Sequence, residues 1–254
     1  QPIGNNNSGF RGKFNGNGHT ISNLWINRPN TDYIGLFGYI STGADIQNLK
    51  LENAEYVGND YVGGIVGYCY NANSITSCEF NGKISGNDYI GGIIGYIDNN
   101  GDHDFEVSDC NSYCHINGRD YIGGICGYNY NRVHGGENYR VFISDCLSYS
   151  NIDGRDYIGG ICGYAYSYSD RTYSNSNITI SNCYSYNHIN GNSNIGGVSG
   201  DNFNYDSGNN GNITTSDCFT NGRIKGNESI GGIVGYIEKN KEVSIFPSVI
   251  LTIR

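Results

Sequence analysis

Five of the nine cysteines recur on one phase: Cys78, Cys110, Cys146, Cys183 and Cys218 each stand 11 residues ahead of the residue that precedes an Ile-Gly-Gly triplet and opens its segment. Thiols on a fixed phase can pair, ligate a soft metal, or pack as small apolar groups. If successive copies stack as strands, equivalent residues lie about 4.8 Å apart. That is short for a disulfide, and in-register Cβ vectors are parallel where a disulfide needs them turned toward each other. The reading is therefore a column of unpaired, inward-facing cysteines. Zinc lacks its usual Cys-x-x-Cys pairs. Cys126 and Cys162 fall where other copies carry Val66 and Ile94, again an apolar role. Cys69 and Cys114 lie outside these phases and are the better candidates for a disulfide, since an odd total cannot all pair within the chain.

Carboxylates recur as well. Asp32, Asp60, Asp88, Asp120, Asp156 and Glu228 each stand two residues before the aliphatic residue of that segment, with Ser193 interrupting. A glycosidase needs two carboxylates in unequal environments facing each other across a groove. Carboxylates repeated on every copy lack that asymmetry, and they read instead as corner residues bonding backbone amides. The segment Asp98, Asn100, Asp102, Asp104 places oxygen ligands at alternate positions, as a calcium loop does, but its Gly is misplaced for an EF-hand. It is a weak calcium candidate beside the reading of a surface acidic loop. His115 and His188 share a phase, yet no Ser-His-Asp spacing emerges. No catalytic residue and no cofactor is assigned.

Tyrosine is the third recurrent type. Tyr39, Tyr68, Tyr96, Tyr128, Tyr164 and Tyr236 share one position, and Tyr33, Tyr61, Tyr89, Tyr121 and Tyr157 share another. A solvent-facing column would suit stacking on sugars or protein contact, and the alternative is ring-on-ring support of the stack. Tyr68, Tyr96, Tyr128 and Tyr164, with Tyr130, Tyr166 and Tyr168 in the longer connections, are the binding candidates. Asn6, Asn177, Asn212 and Asn227 open Asn-x-Ser/Thr sequons and are glycosylation candidates in a secreted protein.

The elements that must position these residues follow from the same phase. The Gly-Gly segments start at 33, 61, 89, 121, 157, 194 and 229, intervals of 28 to 37 residues, which is the signature of a solenoid. From each Cys onward the spacing is constant, so length variation is confined to the stretch between Gly-Tyr and the next Ile-x-x-Cys. With 39 Gly and only 3 Pro among 254 residues, and no every-third-residue period, collagen is excluded. The 23 Tyr and 9 Phe give enough apolar matter to bury, which argues against disorder. β-branched and aromatic residues alternating with small polar ones predict an all-β parallel solenoid (β-helix) of about seven rungs, with about three short strands per rung. Residues 1–30 read as an N-terminal cap with a divergent first repeat, 31–240 as the solenoid, and 241–254 as an apolar capping or inter-subunit strand. Ile245, Phe246, Val249, Ile250 and Leu251 are its candidate assembly residues.

The opening Phe10-Arg11-Gly12-Lys13-Phe14-Asn15-Gly16-Asn17-Gly18-His19-Thr20-Ile21, followed by Gly35-Leu36-Phe37-Gly38, resembles bacterial proteins carrying the GLUG motif. Gly64-Ile65-Val66-Gly67 and its counterparts repeat that core in phase with Ile for Leu, over roughly residues 10 to 237. The resemblance implies an extracellular or cell-surface β-helical region of the kind found in adhesin-like proteins and beside protease domains in immunoglobulin A peptidases, where the repeats are not the catalytic part. No His-Glu-x-x-His occurs, so proteolysis does not carry over. A net charge of −9 disfavours nucleic acid as a partner, and no apolar run is long enough for membrane insertion by a helix. The expectation is a secreted structural protein: a surface stalk, or a filament subunit whose partners are copies of itself end to end. A module binding surface glycan or a host protein is the alternative, and a polysaccharide-degrading β-helix enzyme is a distant third.

Overall fold

A computed structural model describes residues 1–100, 103–134, 138–169, 175–206, 211–239 and 243–245. The chain coils as a parallel β-solenoid in which each rung feeds four sheets. In one central rung the four strands are Phe105–Ser108, Asn111–Asn117, Asp120–Gly123 and Cys126–Val133. Their sheets, called first to fourth in that order, hold 8, 11, 6 and 7 strands. Seven strands in the fourth sheet mark seven rungs, and equivalent residues of successive repeats pair in register, as in Ile122 with Ile158 and Cys126 with Cys162.

The Gly-Gly segment, which reads as a single strand, is two. It breaks after Gly123, so the coil has four sides rather than three. At Gly124 a Cβ would collide with the Gly160 carbonyl oxygen and the Ser148 Oγ. The chain turns its corner there because the backbone of the next rung and the second sheet both close on that position. The two aliphatic columns expected from the spacing form the core: Val62, Ile90, Ile122, Ile158 and Ile195 are fully buried, as are Ile65, Ile93, Ile125, Ile161 and Val198. Only the last rung opens, with Ile230 48% exposed.

Two left-handed turn positions recur in each rung. Ser77, Asp109, Asp145, Asn182 and Asp217, each just before a column cysteine, have φ of 52 to 54°. Asn and Asp accept this conformation readily. The second position is occupied by Tyr33, Tyr61, Tyr89, Tyr121 and Tyr157, at φ of 58 to 61°. A bulky aromatic is disfavoured there, and in the last two rungs the position passes to Asn194 and Ser229.

The variable stretch is built of paired strands in its described part. Cys126–Val133, Cys162–Ser169 and Ser199–Asp206 run past the core, and Asn138–Ser144 and Asn175–Ser181 return. The inside of this fin is polar. The Asn131 side chain donates to the Tyr139 and Asn177 carbonyls, and Ser176 Oγ donates to the Asn131 carbonyl at 2.7 Å.

At the ends, Lys13–Asn15, Thr20–Ser22 and Trp25–Asn27 pair in register with the following rung, and Phe10 and Phe14 pack on Phe37 with centroids at 5.0 and 5.3 Å. Val243–Ile245 pairs with Ile213–Thr215 in the first sheet. Of the candidate assembly residues, Ile245 belongs to this strand, while Phe246, Val249, Ile250 and Leu251 lie outside the described residues.

Candidate functional site

The two tyrosine columns form one double ladder at the junction of the third and fourth sheets. Tyr39, Tyr68, Tyr96, Tyr128 and Tyr164 stack face to face at 4.8 to 5.0 Å. Tyr33, Tyr61, Tyr89, Tyr121 and Tyr157 stack at 4.8 to 5.1 Å. Between columns the rings meet edge to face, Tyr121 with Tyr128 at 5.3 Å. Burial first and neighbouring phenols second push the hydroxyls of Tyr61 and Tyr121 up to about 12. Tyr68 is raised further by burial and by the Asp98 carboxylate, which accepts its hydroxyl at 2.8 Å. The ring faces of Tyr68, Tyr96, Tyr128 and Tyr164 are thus spent on one another, and what they offer to solvent is edges. On the fin, Tyr130 stacks on Tyr166 at 5.2 Å, and Tyr168 lies between Tyr205 and the Arg132 guanidinium.

The corner aspartates tie one rung to the next. Asp32, Asp60 and Asp88 accept the backbone amides of Asp60, Asp88 and Asp120 at 3.1 to 3.2 Å. Asn59 and Asn87 add side-chain bonds to Asp32 and Asp60. Where Arg replaces this Asn, Arg119 bridges Asp88 and Asp120, and Arg155 bridges Asp120 and Asp156. Like charges in a column are tolerated because a donor stands between every pair.

All nine cysteines are buried free thiols. Cys110, Cys146, Cys183 and Cys218 donate to the carbonyl two residues back at 3.1 to 3.3 Å. Cys78 does the same toward Thr76 at 3.3 Å. Cys69 and Cys114, the pair favoured for a disulfide, are held apart on different sheets. Cys69 aligns with Ile97 in the fourth, and Cys114 sits beside Ser112 and Ser150 in the second.

Among the described residues the acidic loop does not gather its oxygens. Asp98 faces Tyr68, Asp104 is paired with Arg140 at 2.8 Å, the Asn100 amide bonds Asn71, and Asp102 lies outside the described residues. Among the described residues no group of three or more His, Cys, Asp or Glu could hold a metal ion. Asn6 and Asn227 are exposed sequon positions, whereas Asn177 and Asn212 stack in the first sheet, where Asn177 Oδ1 accepts the Asn212 amide.

One surface escaped the sequence reading. After each late cysteine the second sheet alternates an outward aromatic or Leu with an inward Ser or Thr: Leu147-Ser148-Tyr149, Tyr184-Ser185-Tyr186 and Phe219-Thr220. Tyr149 is 62% and Tyr184 49% exposed. The signal was an alternation of period two with its polarity inverted, small hydroxyls inside and rings outside.

No family model matches the chain, and no solved structure matches it. One segment is 46% identical over 68 residues to halomucin of Haloquadratum walsbyi, which is 26% of this chain and 1% of that protein. Another comparison gives 40% identity over 67 residues to a protein of Evansella cellulosilytica described as a Gly-rich membrane protein, 26% of this chain and 8% of the other. The chain therefore spans a small fraction of the relatives it matches. Among the described residues no helix is long and apolar enough to cross a membrane.

Proposed function

We propose that this chain is a non-catalytic structural module of an extracellular or cell-surface protein, a stiff rod of the GLUG-repeat kind that extends by end-to-end stacking of further rungs. The observation that carries the reading is continuity along the axis. Aliphatic, tyrosine, cysteine and Asp/Asn/Arg columns bind the rungs to one another, and among the described residues Lys13–Asn15 and Val243–Ile245, the outermost strands of the first sheet, are paired on one side. Open edges of this kind support a heterologous contact that propagates instead of closing. The segment similarities to much longer proteins fit a module within a larger array. The corner aspartates Asp32, Asp60, Asp88, Asp120 and Asp156 are all engaged by bonds to the next rung, which supports a structural over a hydrolytic reading.

The test is the assembly state of the intact chain against a version ending at Lys241, by analytical ultracentrifugation and negative-stain imaging. Rods that lengthen with concentration in the intact chain and shorten on truncation support the proposal. If both chains stay monomeric at high concentration, end-to-end assembly is wrong.

A further inference from the structure

The outer face of the second sheet in the late rungs differs from the rest of the surface. Its aromatics are not stacked: Tyr149 and Tyr186 stand 6.2 Å apart and tilted by 32°, and Tyr184 and Phe219 stand 6.3 Å apart at 45°. The inward side explains why the rings lie outside. Ser148 Oγ, the Ser150 amide and Ser185 Oγ all bond the buried Asn187 side chain, whose amide also donates to the Gly160 carbonyl at 2.7 Å. That polar network fills the core and leaves it no room for aromatic rings.

A polar strip carrying two cations adjoins these rings. His115, Asn151, His188 and Arg223 align in register, and with Asp153, Asn190 and Lys225 they line a groove of about 370 Å³, in which the Asn190 side chain donates to the Asp153 carboxylate at 3.2 Å. Arg119, Arg140 and Arg155 are committed to aspartates, whereas Arg223 and Lys225 make no ion pair among the described residues. On a chain of net charge −9, exposed unpaired cations beside open ring faces are a local reversal of sign.

We propose that this face binds an acidic polysaccharide of the uronate class. Open faces of Tyr149 and Tyr184 stack on pyranose rings. Arg223, whose planar fork matches a carboxylate, and Lys225 meet the uronate charges, and Asn151 bonds a ring hydroxyl. Rings and cations fall on successive rungs, Tyr149, then Tyr184 and Tyr186, then Arg223 and Lys225, about 4.8 Å apart along the axis, so an extended chain lying along the axis passes the rings before it meets the cations. The inference goes beyond the structural reading and does not depend on assembly.

Calorimetry of the full chain with galacturonate oligomers, dextran sulfate and cello-oligosaccharides tests it. The galacturonate oligomer binds with an affinity that falls as salt rises. Tyr149→Ala and Arg223→Gln each weaken binding about tenfold, in line with the loss of one stacking or one charged contact. Tyr149→Phe retains binding. Melting curves of the Tyr149 and Arg223 variants match the parent, since both positions are exposed. No binding of galacturonate, stronger binding of sulfate or of the neutral oligomer, or indifference to Tyr149→Ala and Arg223→Gln together would each overturn the proposal.

Discussion

Tyr121 is where the ladder's energetics can be separated into two terms. Its ring contacts Tyr157 at 4.8 Å, Tyr89 at 5.0 Å, Tyr128 at 5.3 Å and Tyr164 at 5.6 Å, while its backbone is held at φ 58°. For a half-buried ring we take the low end of about 0.5 kcal/mol per aromatic pair, so losing four pairs costs roughly 2 kcal/mol. The left-handed backbone costs a residue with a Cβ about 1 kcal/mol, and Asn is the side chain that relieves most of it. Tyr121→Ala removes the rings and keeps the strain, for a loss of about 2 kcal/mol. Tyr121→Asn removes the same rings and recovers about 1 kcal/mol, so Asn should outrank Ala by roughly that amount. Tyr128 is the control. It has the same kinds of ring contact, at 4.8 to 5.5 Å, and is not among the left-handed residues, so Asn gains nothing over Ala there. Urea unfolding followed by circular dichroism and by tyrosine fluorescence, with coincident transitions and equal slopes, measures all four variants. An equal Ala–Asn gap at both positions, or Ala above Asn at Tyr121, would refute the strain argument. Losses under about 0.5 kcal/mol at both sites would refute the ladder.

Three further outcomes follow from the same geometry. Tyr61 and Tyr121 sit at about 12 in the fold against about 10 unfolded, so their contribution is complete below pH about 10 and is lost as pH rises toward about 12. Melting temperatures should therefore fall across that window as phenolate absorbance rises, and a full phenolate titration near pH 10 with the fold intact would contradict this. Because all nine thiols are buried away from reagent, iodoacetamide should label none of the cysteines natively and all nine in denaturant; mass spectrometry counts the adducts. Asn129 is fully buried, with neither amide atom hydrogen-bonded, between Ile97 and Ala165 in register. Asn129→Leu should accordingly raise stability by about 1 kcal/mol or leave it unchanged, and a loss above about 1 kcal/mol in urea unfolding would show that the amide is satisfied in solution.

The phase of the repeat was legible because stacking in register forces every rung to place the same residue type at the same corner. Constant spacing from each Cys through the Gly-Gly segment therefore translated directly into the columns of Ile122, Cys146 and Tyr128. The break after Gly123 was not legible, because apolar residues continue through it and the cause is the approach of the Gly160 carbonyl from the next rung. Tyrosine at a left-handed position was hidden for the opposite reason. Local propensity argues against it, and only the neighbouring rings, remote in sequence, make it tenable. The late rungs betray the position, since Asn194 and Ser229 occupy it once the stack ends.

That exchange has a counterpart on the second sheet. Where Phe80 fills the interior of an early rung, Ser112, Ser148 and Ser185 stand at the same place in later ones, each fully or almost fully buried. A buried hydroxyl must be hydrogen-bonded; Asn187 supplies that partner to Ser148 and Ser185, and Ser150 to Ser112. The residues on either side of Ser148 and Ser185 then lie on the outer face, and they are Leu147, Tyr149, Tyr184 and Tyr186. Aromatic surface is thus withdrawn from one corner and presented on another within the same few rungs. A rod that needed only stiffness could have repeated Phe80 and the tyrosine ladder to its end. Open rings next to the unpaired Arg223 and Lys225 are therefore better explained by selection for contact than by packing, and the saccharide-binding test separates those two causes.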